Sequence, residues 1–246
     1  MRRYIMVREK VVRVGDAVEV IYDSKRWCIL VEKRRETLKI MSALFKYGLN
    51  PIVHGSIARG DVREASDIDV VIPYVVPSYR IELALENAGY IPYRRIVVQA
   101  TPQHAIKAYI VLDELETRVV SFPLVRLSRK EYEFYKFGGL LELSDLKENV
   151  LKRVPGVDKR LMLIKPTEKG HVEEPIIGRE AEVASILGIS VDVVEERVRV
   201  LTRRDKLGRT GVFVKYELKP TETFEEALDK LARENPHVRR IVYERM

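Results

Sequence analysis

Two aspartates stand one residue apart in Ser66-Asp67-Ile68-Asp69-Val70-Val71-Ile72-Pro73, downstream of Pro51-Ile52-Val53-His54-Gly55-Ser56-Ile57-Ala58-Arg59-Gly60-Asp61. In a strand, side chains two apart share a face, so Asp67 and Asp69 point one way while Ile68 and Val70 enter the core. Two carboxylates on one side repel each other unless a cation lies between them. Hard oxygen ligands favour Mg²⁺ or Mn²⁺. Gly55 lets the backbone turn or approach another group closely. Residues 57–60 read as the first turn of a short helix or a tight loop. The free N–H groups there, with the Ser56 hydroxyl, form a phosphate-sized anion site. Metal-assisted transfer of a phosphate-bearing group is the chemistry this arrangement fits. The bland reading makes Asp67 and Asp69 solvated strand-end residues and Gly55 a turn residue. It leaves two same-face carboxylates between Ile52-Val53 and Val70-Val71-Ile72 without a purpose.

Gly55-Ser56, a ten-residue spacer and Asp67-Ile68-Asp69 together resemble the signature of the DNA polymerase beta-like nucleotidyltransferase superfamily. The spelling GSIARGDV…SDIDVVIP is similar to that of archaeal predicted nucleotidyltransferases. The signature covers about residues 51–73, and a weaker match of order and length extends to about residue 125. The resemblance implies transfer of a nucleoside monophosphate from a nucleoside triphosphate to an acceptor hydroxyl. Asp67 and Asp69 would be catalytic and would hold Mg²⁺ or Mn²⁺, with Gly55 and Ser56 on the β- and γ-phosphates and Arg59 beside them. It also implies a third carboxylate on a later strand. The matching register falls on Arg118, which is not acidic, and Glu116 shares that face if the strand begins early. Three outcomes stay open: Glu116 is the third catalytic acid, one metal suffices, or catalysis is lost. Lys107 is placed to neutralise a triphosphate, or is a plain surface lysine. His54 is placed to touch substrate, or is a hydrogen-bonded strand-end histidine.

The expected scaffold is α+β: a nucleotidyltransferase-type mixed sheet with packed helices. A helix from about Ser24 to Tyr47 carries Trp27, Leu30, Met41 and Leu44 on one stripe. Lys33, Arg34 and Arg35 fall on the opposite, solvated face, and Gly48 closes the helix. Strand patterns follow over Arg94–Gln99, Ala105–Leu112 and Thr117–Leu124, with a helix at Tyr79–Ala88 before them. These give an N-terminal arm and helix (1–50) and a nucleotidyltransferase domain (51–154). A Pro- and Gly-rich linker (155–177) and a C-terminal unit (178–246) complete the chain.

In that last unit Gly188 and Ser190 fall where a helix-turn-helix needs its turn glycine and cap. Residues 207–216 read as a hairpin, the wing, and the whole resembles a winged helix-turn-helix. Arg199, Arg203, Arg204 and Arg209 would then face nucleic acid. Winged helices also serve as protein-binding modules. Thr223 with Glu226 forms a capping box, and Val238–Tyr243 reads as an edge strand. This supplies a second functional reading, a nucleic-acid-binding regulator whose nucleotidyltransferase domain senses nucleotides or is degenerate.

Hydrophobic residues make up 46% and charged residues 33% of the 246, which excludes a disordered chain. The net charge of +7 favours polyanionic partners, RNA or DNA among them. The lone Cys28 excludes disulfides and cysteine zinc sites and is expected to be buried. The first residues lack the apolar stretch of a signal peptide, and no apolar run is long enough for a bilayer, so a cytoplasmic, membrane-free protein is expected. Abundant Arg, Lys and Glu with little Asn, Gln and Cys points to a thermophile.

Overall fold

The computed structural model describes residues 11–208 and 210–246. Strand β1 (Val18–Ile21) turns into the long helix α1 (Ser24–Phe45), capped by the Asp23 carboxylate accepting from the Arg26 N–H at 2.7 Å. Gly48, at φ +71°, ends that helix, and β2 (Ile52–His54) follows. The short helix α2 (Ser56–Arg59) separates β2 from β3 (Ile68–Val71). Helix α3 (Ser78–Glu86) precedes β4 (Arg94–Gln99), β5 (Ile106–Val111) and β6 (Arg118–Pro123). Helix α4 (Arg129–Phe137), β7 (Leu140–Glu142) and α5 (Leu143–Glu148) come next. After them run β8 (Gly156–Val157), β9 (Met162–Thr167) and β10 (Gly170–Pro175). Helices α6 (Glu180–Leu187) and α7 (Val191–Leu207), strand β11 (Val214–Glu217) and helices α8 (Phe224–Glu234) and α9 (Pro236–Arg245) complete the chain.

Seven strands form one mixed sheet in the order β11-β4-β5-β6-β3-β2-β7, in which only β3 and β6 pair in parallel. One face is apolar: Val53, Ile68, Val70, Val97, Ile110 and Phe122 are buried against α1, α3 and α8, and Phe122 meets Phe224 edge-on at 5.2 Å. On the other face, α4 packs Tyr135 on Ile52 and Val71 and reaches β5 through the Tyr135 hydroxyl, which accepts from Lys107 at 3.0 Å. Asp69 on β3 lies on this second face.

Residues 155–177, expected as a linker, instead supply β8, β9 and β10, which join β1 in a four-stranded antiparallel sheet. Pro166 and Pro175 sit within these strands, and the positive-φ residues Leu161 and Gly178 make the turns. Phe137, Val157, Leu163, Val183 and Val194 share one core, which ties α6 and α7 to this sheet and to α4. Helices α6 and α7 are joined through Gly188 at φ +61°, but the expected wing hairpin is not found among the described residues. Its residues instead give β11, which covers the otherwise bare edge of β4 and packs Val214 and Tyr216 against the main core.

Val238–Tyr243 lies within α9 rather than an edge strand, because Asn235 caps and Pro236 starts a helix there. Cys28 is exposed, not buried. Arg34, expected on a solvated face, is fully buried. An arm expected over residues 4–14 falls mostly outside the described residues.

Candidate active site at the Gly-Ser bend

The bend after β2 is held from three directions. Gly55 adopts φ 79°, ψ −147°, a conformation open to glycine, and its N–H donates to the Gly139 carbonyl at 3.0 Å. The buried Arg34 guanidinium donates to the Ile57 carbonyl from Nε at 3.0 Å, and to the Ile57 and Ala58 carbonyls from Nη2 at 2.8 and 3.1 Å. It thereby closes the C-terminal end of α2. Gly156 packs so tightly on the Gly138-Gly139 pair that a Cβ there would lie 2.5 Å from the Gly139 nitrogen. The N–H groups of Ser56 and Ile57 and the Ser56 hydroxyl have no acceptor or partner among the described residues.

Asp67 lies exposed just ahead of β3 and Asp69 half-buried within it, on the sheet face opposite the one that Ile68 and Val70 bury. Neither carboxylate takes a hydrogen bond or ion pair among the described residues. Burial pushes both above the ordinary carboxylate range, and at Asp67 the neighbouring Asp69 charge adds to it. The Lys159 ammonium works against this at both residues, and Lys33 at Asp67. Lys33 is itself held by the Ser66 carbonyl at 2.7 Å.

Register extends the site across the sheet. Asp69 pairs with Val119, and Ser121 and Tyr109 continue the same face over β6 and β5. Lys107, one pair further along β5, donates to the Tyr135 hydroxyl at 3.0 Å and lies 4.9 Å from its ring centroid. Burial raises the Tyr109 and Tyr135 hydroxyls, and the Asp69 charge adds a smaller push at both. His54 meets the Tyr135 and Phe134 rings at 5.1 and 6.0 Å. Burial, helped by the charges of Lys107, Arg59 and Lys159, pushes His54 down to about 3, so it is a neutral imidazole at physiological pH.

Among the residues expected from sequence, Gly55, Ser56, Asp67, Asp69 and Lys107 are therefore gathered on one side of the sheet. Glu116 is not brought to the pair. It occupies the β5–β6 turn at φ +54°, where Arg94 on β4 donates to it at 2.5 Å. Among the described residues, no group of three His, Cys, Asp or Glu side chains that could hold a metal is found. Asp113 in the same turn accepts from the Thr117 and Arg118 N–H groups at 3.0 and 2.8 Å, and Arg118 also pairs with Glu36 at 3.2 Å. Neither β5 nor β6 contains an acid. Arg59 is buried and turned inward, donating to the Gly138 carbonyl at 2.6 Å and to Asp61 at 3.0 Å, so it braces the bend.

Lys159 carries no motif of its own in the sequence and lies in the Pro- and Gly-rich stretch 155–177. It is exposed in the β8–β9 turn and makes no ion pair among the described residues. Asp158 fixes that turn by accepting from the Arg160 and Met162 N–H groups at 2.8 and 3.1 Å. On α7, Arg199, Arg203 and Arg204 are exposed, and Arg209 lies outside the described residues.

A glycine-serine bend with free N–H groups thus lies beside an acid pair that has no partner among the described residues. The family described as "Nucleotidyltransferase domain" matches residues 34–200, and the chain belongs to it. The match begins inside α1 and ends inside α7. No curated protein and no solved structure matches the chain. Among the described residues, no helix is long and apolar enough to cross a membrane.

Proposed function

We propose that the chain transfers a nucleoside monophosphate from a nucleoside triphosphate to an acceptor hydroxyl, releasing pyrophosphate. The observation that carries this is the carboxylate pair: two acids on one sheet face, unpaired among the described residues, beside a phosphate-sized bend. The donor set fits a hard divalent cation, Mg²⁺ or Mn²⁺, held by Asp67 and Asp69. Among the described residues no third His, Cys, Asp or Glu joins them, so substrate oxygens and water would complete the shell. Such an ion, when bound, supplies charge stabilisation at the transferring phosphate.

The chain's own groups do the rest. The Ser56 and Ile57 N–H groups and the Ser56 hydroxyl grip the terminal phosphates. Lys107 and Lys159 bring positive charge toward the departing pyrophosphate, and neutral His54 offers a hydrogen bond without adding charge. The acceptor oxygen bonds to the α-phosphorus as the bond to pyrophosphate breaks, and the acceptor proton passes to water. Glu116, tied to Arg94, has no part in this step.

A second reading is favoured by the acid-free β5 and β6: a nucleic-acid-binding regulator whose pocket senses nucleotides without turning them over. Incubation with each labelled triphosphate, Mg²⁺ or Mn²⁺ and a pool of acceptors separates the two. The enzyme reading expects label transfer that Asp67→Ala/Asp69→Ala abolishes. Nucleotide binding without transfer under any condition favours the regulator.

A further inference from the structure

Among the described residues, most arginines with buried or half-buried side chains are committed. Arg94, Arg95, Arg118, Arg160 and Arg245 all pair with carboxylates. The second half of α7 departs from that habit. Between residues 197 and 206 it carries Arg197, Arg199, Arg203, Arg204 and Lys206 against Asp205 alone. None of these five cations has a hydrogen bond or ion pair among the described residues. Cations in the last helical turn are favoured by the helix dipole, which accounts for Arg204 and Lys206. It does not account for Arg197, ten residues from the helix end.

Arg197 lies 4.9 Å above the Phe134 ring, and its Nε is buried without an acceptor. Burial, with Arg204 nearby, pushes its guanidinium down to about 10. Stacking on a ring occupies the guanidinium's flat face and leaves N–H edges that suit a phosphate. Poor hydration makes the charge worth more to an arriving anion. Arg204 is seven residues on, two turns along the same helix side. The α4–α7 seam is fixed where Glu133 accepts from the Ser190 N–H and hydroxyl at 2.9 and 2.6 Å. Phe134 also meets His54, the residue before the Gly-Ser bend, so a single ring separates Arg197 from the site.

We propose that this side of α7 seats the acceptor: Arg197, stacked on Phe134, and Arg204 hold backbone phosphates of a single-stranded nucleic acid. The proposal rests on the transferase reading only in directing the strand's terminal hydroxyl toward Asp67 and Asp69. The +7 net charge of the chain agrees with such a partner.

The test is fluorescence anisotropy of a short end-labelled single-stranded RNA, and of its DNA counterpart, titrated with the full chain across a salt series. Arg197→Gln/Arg204→Gln should weaken binding about tenfold or more and lower the slope of log affinity against log salt by about 1.4, for two lost phosphate contacts. Arg233→Gln, removing an exposed charge on α8, should change affinity less than about twofold. If Arg197→Gln impairs folding, Arg197→Lys keeps the charge and exposed Arg204→Gln alone should still lower the slope by about 0.7. Unchanged binding in both Arg204 variants, or an equal loss in Arg233→Gln, overturns the proposal. Arginine-dependent binding without nucleotidyl transfer leaves it standing and defeats the transferase reading. Transfer to the oligonucleotide undiminished in the double variant does the reverse.

Discussion

Asp67 and Asp69 are held on one sheet face at a cost, since each is partly desolvated and Asp67 feels the charge of its neighbour. Removing one charge should therefore stabilise the metal-free protein. Asp69→Asn is expected to raise Tm in chelator by about 2 °C or more, whereas Mg²⁺ should raise Tm in the wild type and not in the variant. A lower Tm for the variant in chelator would contradict that reading of the pair. Arg34 makes the opposite prediction. Arg34→Met leaves the Ile57, Ala58 and Val150 carbonyls without their donor and should cost about 3 kcal/mol or more in chemical denaturation. A loss under about 1 kcal/mol would mean that the bend is held some other way.

The acid pair was legible because a strand's two-residue repeat is local. Arg34 was not, since its burial depends on α2 carbonyls more than twenty residues away meeting it. Lys159 reaches the pair from a strand turn ninety residues after Asp69, and no periodicity encodes such a meeting.

Among the elements, the α4–α7 seam and the β8 contact carry the site's precision. Glu133 is pulled down to about 2, first by the Ser190 hydroxyl and N–H and then by Arg129. Its ionised form therefore stabilises the fold above the unfolded carboxylate range, near pH 4, and this stability is lost as pH falls toward about 2. Glu133→Gln should be less stable than wild type at pH 7 by about 1–2 kcal/mol, and the gap should close by pH 2. A gap that persists in acid would remove ionisation from the account. Gly156→Ala should loosen the Gly139–Gly55 contact, lowering Tm and weakening triphosphate binding together. A variant with normal binding would separate β8 from the bend.

Helix α1, the capping box of α8 and strand β4 agreed with their sequence patterns, because caps and apolar spacing act within a few residues. The wing and the linker did not. Whether Val214–Glu217 folds back on itself or joins β4 is decided by an open sheet edge that the local sequence does not describe. Prolines and glycines at 155–178 read as breaks, yet serve as strand ends and turns in a second sheet.

For the whole molecule, two sheets meet around one bend. The mixed sheet presents the acids, the smaller sheet delivers Lys159 and braces Gly139, and α4 joins them to α7. The family match runs across that junction, from residue 34 to residue 200, rather than stopping at the first sheet. Everything proposed for this site requires the acid pair to bind a divalent cation together with a triphosphate. Titration of Mn²⁺ followed by electron paramagnetic resonance, with a nucleoside triphosphate present, measures that directly on wild type and on Asp67→Asn/Asp69→Asn. Protein-bound Mn²⁺ in the wild type and its loss in the double variant is the predicted result. Equal Mn²⁺ binding by the two proteins would contradict the account.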